Sequence, residues 1–133
     1  MWLTDKKTIL AVAFFVLIGE FAYVASVNSG QEPLWWYDIV LHFLGGALIA
    51  MIFLNLTREF KDWWSYAGVL QMLISATAVV LSAGVLWEFY EFVTAYFFHS
   101  MALTLSDTLS DLFFDSLGGF LLSAAHIFLT RKN

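Results

Sequence analysis

Acidic residues and one histidine recur at helical spacing inside segments that are otherwise apolar. Asp38 and His42 are four residues apart. Glu88 and Glu91 form a second set, three residues apart, and a third set of aspartates is spaced by four: Asp107, Asp111 and Asp115. Residues three or four apart lie on the same face of a helix, so each set predicts a polar stripe along one helix.

Carboxylate oxygens together with a single imidazole are suitable ligands for Mg²⁺, Mn²⁺, Ca²⁺ or Zn²⁺. The chain contains no cysteine, which excludes a thiolate site or a disulfide. The sequence therefore predicts a divalent-cation site, and the number of carboxylates allows two ions. The predicted metal ligands are Asp38, His42, Glu88, Glu91, Asp107, Asp111 and Asp115.

Some of these acidic residues also have structural interpretations. Asp38 and Asp107 lie near predicted helix starts, where a carboxylate can cap the helix and interact with its dipole. Glu20 stands alone on its segment as a further polar residue, and it is either a ligand or a protonated, hydrogen-bonded carboxyl. Glu91 would be hydrated if its helix projected from the membrane. These alternatives remain open at the level of sequence.

Four long apolar segments carry the polar residues. Of the 133 residues, 61% are hydrophobic and 13% are charged, whereas soluble domains contain about 25% charged residues. Membrane-spanning helices of about 20 residues are predicted at residues 8–27, 34–56, 66–98 and 106–130. The third segment is too long for one upright span and must tilt, bend or project. The predicted fold is all-α, an integral membrane four-helix bundle that forms a single transmembrane domain over residues 1–133.

The basic residues predict the orientation of this bundle. Their three pairs fall at ends of the apolar segments that lie on one side of the membrane: Lys6 and Lys7, Arg58 and Lys61, Arg131 and Lys132. Loops rich in Lys and Arg remain on the cytoplasmic side of the membrane. That side is therefore expected to be cytoplasmic, with both termini in the cytoplasm. The expected location is the cell (inner) membrane, crossed several times. Most of the 11 acidic residues then belong to the outward half: Glu20, Glu32, Asp38, Glu88, Glu91, Asp107, Asp111 and Asp115.

The outward carboxylates need a counter-charge from outside the chain. A charged residue at the membrane centre costs about 2.5–3.5 kcal/mol, so six carboxylates would cost on the order of 15 kcal/mol if they were ionised and unpaired. No Lys or Arg belongs to the outward half, which excludes internal salt bridges there. Bound cations, protonation or a water-filled vestibule would each solve the problem. We favour a bound divalent cation.

Small residues accompany the polar ones and indicate close helix packing. Glycine lies one turn or less from these groups on three segments: Gly45, Gly46, Gly84, Gly118 and Gly119. Glycine allows the backbones of membrane helices to approach closely. The predicted architecture is a tight bundle with a polar pocket that opens outward.

Several short motifs resemble those of the YjdF-like small bacterial integral membrane proteins and, more loosely, those of the VanZ-like family. They occur in one order along residues 36–121: Trp36-Tyr37-Asp38, His42-Phe43, Leu86-Trp87-Glu88 with Glu91, Asp107-Thr108 with Asp111, and Gly118-Gly119. The resemblance implies a membrane protein with this polar signature on its helices. It implies no activity.

Three functions are compatible with the sequence. The first is a metal-dependent hydrolase or transferase that acts on a lipid-linked substrate, with Glu88 or Glu91 as the catalytic general base and His42 as ligand or acid. The second is a cation or proton transporter or channel subunit, which would need to form a homo-oligomer because the chain is small. The third is a non-catalytic assembly protein with a structural metal. A net charge of −5 argues against nucleic acid as a partner, and the lipid bilayer is the expected surrounding.

Overall fold

The computed structural model describes residues 5–30, 34–58, 68–98 and 104–131. Within these ranges the chain forms four helices: α1 (Lys6–Asn28), α2 (Trp35–Arg58), α3 (Val69–Phe98) and α4 (Leu105–Arg131). Each helix is long and apolar enough to cross a membrane. The predicted all-α fold with four membrane-spanning helices is therefore confirmed. Glu32, Lys61 and Lys132 lie outside the described residues.

The ends of the helices follow ordinary capping chemistry. Asp5 caps α1, since its Oδ1 accepts a hydrogen bond from the backbone N–H of Thr8 at 2.7 Å. After α1 the chain turns at Gly30, whose φ of 75° is readily adopted only by glycine. Thr104 begins α4, since its Oγ1 accepts from the backbone N–H of Asp107 at 3.2 Å. The third helix has 30 residues, about 45 Å at 1.5 Å per residue, and so exceeds the roughly 30 Å hydrocarbon core, as its sequence predicts.

The helices α2 and α4 form the most extensive contact of the bundle, and α3 packs against both of them. One glycine on each helix allows α2 and α4 to approach closely, because each glycine lies against the backbone of the other helix. A Cβ at Gly46 would collide with the backbone carbonyl of Asp115, and a Cβ at Gly118 would collide with that of Phe43. The two helices are therefore in direct backbone contact at the level of the polar residues.

The first helix lies at the periphery of the bundle. Only 6% of its apolar window is buried, against 39% for that of α2. Its attachment to α2 centres on Tyr37, whose hydroxyl donates to the carbonyl of Gly19 at 3.2 Å and whose ring stacks on Tyr23 with centroids 6.2 Å apart. Leu41 of α2 fits against Gly19, because a Cβ there would collide with the leucine side chain. Most of the surface of α1 thus remains available to lipid.

Candidate functional site

His42 lies at the centre of the polar residues and is only 6% exposed. Its Nε2 is 3.8 Å from Oδ1 of Asp38, one turn earlier on α2, and 3.8 Å from Oδ1 of Asp111 on α4. On the other side of the ring, Nδ1 is 3.5 Å from Oδ2 of Asp115. Both imidazole nitrogens therefore face carboxylates.

Four of the predicted ligands surround one point. His42, Glu88, Glu91 and Asp111 each offer one ligand atom, and these atoms all lie within 4.8 Å of one another. Two ligands of the same cation, each about 2.0–2.6 Å from it, lie at most about 5 Å apart. The group therefore has dimensions that suit one cation, with ligands from α2, α3 and α4.

A second group shares one aspartate with the first. Asp38, Asp107 and Asp111 also offer ligand atoms within 4.8 Å of one another. Asp107 is exposed, whereas Asp111 is 4% exposed. Asp38 and Asp107 both lie in the first turn of their helices, where a carboxylate interacts favourably with the helix dipole. At the start of α4 the cap itself is Thr104, so Asp107 follows the cap instead of providing it.

The two glutamates of α3 differ in their surroundings. Glu91 is partly buried, and its Oε1 accepts a hydrogen bond from Nε1 of Trp87 at 3.0 Å. Glu88 is 8% exposed, and its Oε1 is fully buried without a hydrogen-bond partner among the described residues. Such an atom loses its hydration without compensation, which costs about 1–3 kcal/mol or more for a charged group.

Glycine provides the space for the third aspartate of α4. A Cβ at Gly84 would lie 2.7 Å from Oδ2 of Asp115, so any larger residue on α3 would displace this carboxylate. The contact of Gly46 with the Asp115 backbone fixes the same residue from α2. Asp115 is consequently 7% exposed and directed at His42 without belonging to either ligand group.

Glu20 lies beside these residues on the α1 side. With His42 and Asp115 it lines a cavity of about 240 Å³ between α1, α2 and α3. Glu20 is partly buried and belongs to neither ligand group among the described residues. The structure thus brings the predicted ligands into one cluster and places Glu20 at its edge.

The described basic residues lie far from this cluster along their helices. Lys6 and Lys7 begin α1, and Arg58 and Arg131 end α2 and α4. From His42 to Arg58 the helix rises by about 24 Å at 1.5 Å per residue. Among the described residues, the ion pairs of the cluster all involve His42.

Two contributors were not predicted from the sequence. Trp87 is the hydrogen-bond donor to Glu91, and its position four residues earlier on the same helix could have indicated the contact. Thr104 is followed by Asp107 at the spacing of a capping box, which could have identified the start of α4. No sequence pattern indicates the cavity beside Glu20, because the cavity depends on how α1 packs against α2.

Comparison with known proteins identifies the family of this chain. An uncharacterized protein of Thermotoga maritima is 34% identical over 90 residues, a match that covers 65% of this chain and 45% of the relative. The match therefore spans less than half the length of that relative. No solved structure matches the chain. The model of a family described as "Predicted membrane protein (DUF2238)" matches residues 6–132. The resemblance to small YjdF-like membrane proteins is confirmed, and the chain belongs to the DUF2238 family of membrane proteins.

Proposed function

We propose that this membrane protein binds a divalent cation between α2, α3 and α4, with His42, Glu88, Glu91 and Asp111 as its ligands. The dimensions of this group suit one ion, because the four ligand atoms lie within 4.8 Å of one another. Three carboxylates and one imidazole form a donor set for Mg²⁺, Mn²⁺, Ca²⁺ or Zn²⁺. Asp38 and Asp107, with the shared Asp111, offer a place for a second ion.

The observation that carries this proposal is the buried Oε1 of Glu88. It belongs to a residue of the four-ligand group and has no hydrogen-bond partner among the described residues. Buried carboxylate oxygens are normally paired or coordinate a metal. A cation between Glu88 and His42 would satisfy this oxygen and would also reduce the repulsion between Glu88, Glu91 and Asp111.

The chemistry that fits this site is hydrolysis or group transfer on a lipid-linked substrate. A bound divalent cation would supply a Lewis acid toward a phosphoryl or acyl oxygen. Glu91 is the better placed of the two predicted bases. It is only partly buried, whereas Glu88 is buried, with 8% of its surface exposed, and is less accessible to a substrate. Trp87 would fix the orientation of Glu91 through its indole N–H. Asp115 would orient His42 from the side that does not face Asp111.

Transport fits the structure less well. Between the cluster and the opposite ends of α2 and α3, the buried side chains are mostly apolar: Ala47, Ala50, Met51, Leu54, Met72, Ala76 and Val80. Three buried polar residues also occur there, and they are fewer than the apolar ones: Thr57, Ser123 and His126. An ion crossing this largely apolar layer would lose its hydration and find few replacement ligands among the described residues. The layer therefore favours a site that is reached from one side.

Titration of the purified protein with cations tests the proposal. The protein in detergent is treated with EDTA, and Mg²⁺, Mn²⁺, Ca²⁺ and Zn²⁺ are then titrated calorimetrically. Loss of a group that orients a ligand costs about 10–100-fold in affinity, so His42→Ala, Glu88→Gln and Asp111→Asn are each expected to cost at least about tenfold. Asp5→Asn is the matched control, because Asp5 lies at the start of α1 and asparagine also caps a helix.

Circular dichroism and thermal unfolding of the same samples distinguish a functional cation site from a structural metal. A functional site predicts that the cluster variants remain helical and lose only the cation. Unfolding of both the variants and the EDTA-treated protein would instead support a structural metal. Equal affinity of all four variants and the original chain would contradict the ligand assignment, as would the absence of binding for all four ions.

A further inference from the structure

The cavity beside the candidate metal site is a cleft whose base is α2 and whose sides are α1 and α3. Val16 and Leu17 line it from α1, and Val80 and Ala83 line it from α3. Leu48 and Ile49 of α2 lie at its base. These side chains are aliphatic, so most of the cleft offers only dispersion contacts and favours a hydrocarbon occupant.

Nearly all of the cleft surface is apolar, but three polar residues border it: Glu20, His42 and Asp115. His42 also belongs to the four-ligand group, and Trp87, which donates a hydrogen bond to Glu91, lines the cleft as well. The apolar cleft therefore lies beside the candidate cation site. An occupant that filled the cleft and reached the cation would combine an alkyl chain with a polar head.

The position of the cleft indicates that its occupant comes from the bilayer. The residues that form its sides belong to membrane-spanning segments of α1 and α3, and α1 has little contact with α3. The volume of about 240 Å³ lies below the roughly 300–1,000 Å³ of pockets for drug-sized ligands. It suits one alkyl chain better than the whole body of a phospholipid.

We infer that the cleft binds the alkyl chain of a membrane amphiphile and presents its phosphoryl head to the cation held by His42, Glu88, Glu91 and Asp111. This inference rests on the proposed cation site, because an anionic phosphoryl group would otherwise be repelled by the carboxylates. With a divalent cation in place, a phosphoryl oxygen is a suitable further ligand. The substrate class is then a lipid phosphate or a lipid-linked phosphate.

Photo-crosslinking with a phosphatidic acid that carries a diazirine in its acyl chain tests this inference. The full-length protein is labelled in detergent with and without the added cation, and labelled peptides are identified by mass spectrometry. Labelling is expected at Val16, Leu17 and Ala83 and is expected to rise when the cation is added. Ala83→Phe fills the cleft and is expected to lose this labelling while it keeps cation affinity.

Ala78→Phe is the matched control, because Ala78 lies on the same helix, is exposed and does not line the cleft. Equal labelling of Ala83→Phe and Ala78→Phe would overturn the alkyl-chain assignment, whatever the cation titrations show. Glu88→Gln separates this result from the proposed function, since it is expected to abolish only the cation-dependent part of the labelling. Labelling by the phosphatidic acid probe that did not change when the cation was added would overturn the phosphoryl assignment.

Discussion

One oxygen of Glu91 is held by the indole of Trp87, a contact within α3 that fixes the direction of the carboxylate. Groups that orient a metal ligand contribute to affinity without touching the metal. Trp87→Phe retains an aromatic side chain but removes the N–H donor together with the volume of one ring. We therefore expect cation affinity to fall about 10–100-fold, measured by calorimetric titration of the purified protein.

Trp36→Phe provides the comparison for this change. Trp36 is exposed near the start of α2 and belongs to neither ligand group. Its substitution is expected to leave the titration unchanged. If both tryptophan variants lost affinity equally, the effect would come from altered packing and the orienting role of Trp87 would be disproved.

The pKa of the Asp5 carboxylate tests whether this residue caps α1. The hydrogen bond from the Thr8 backbone N–H lowers the pKa of Asp5 below its usual 3.8. Because the pKa is lower in the folded state, the cap stabilises the folded chain above the unfolded pKa and loses this effect as pH falls through the folded pKa. The Thr8 amide shift should accordingly titrate by NMR with a midpoint below 3.8. A flat profile is expected for Asp5→Asn, and a midpoint above that value in the original chain would contradict the cap.

At the scale of whole helices, the contact of α2 with α4 determines the geometry of the site. Gly118 fits against the backbone of Phe43, one residue after His42. Gly118→Val would force the two backbones apart, because a carbonyl cannot move aside as a flexible side chain can. Overpacking costs about 1–3 kcal/mol, and this variant is expected to lose at least that much stability together with cation affinity.

Thermal unfolding in detergent and calorimetric titration measure these two losses. Gly68→Val is the matched substitution, because a Cβ at Gly68 meets nothing within 4 Å. It is expected to retain nearly the original stability and affinity. A Gly118→Val protein that was as stable and bound the cation as tightly as Gly68→Val would show that close contact between α2 and α4 is not required.

The helices were predictable from the sequence to a greater extent than the contacts between them. Apolar length predicts the four spans, and helical spacing predicts that Asp38 and His42 share a face. Spacing within one helix does not determine which residue of another helix it meets. The approach of Asp115 to Nδ1 of His42 depends on two backbone contacts through Gly46 and Gly118. The cleft depends on the position of α1, which is attached mainly through Tyr37 and Gly19.

At the scale of the whole molecule, orientation decides which compartment reaches the cation site. The basic pairs predict cytoplasmic termini and an outward site. The chain contains no cysteine, so single cysteines can be introduced at exposed positions at the two ends of the bundle. Ser29→Cys follows α1 at the end that holds the cluster, and Gly68→Cys precedes α3 at the other end.

In intact cells, a membrane-impermeant maleimide is expected to label Ser29→Cys, whereas Gly68→Cys should react only after the membrane is permeabilised. Both variants should react equally in detergent, which controls for local accessibility. Because both positions are exposed, a difference in intact cells reports the side of the membrane on which each lies. The reverse pattern would place the carboxylates toward the cytoplasm. The cation site and its lipid cleft would then act on the inner leaflet, and the positive-inside prediction would be wrong for this chain.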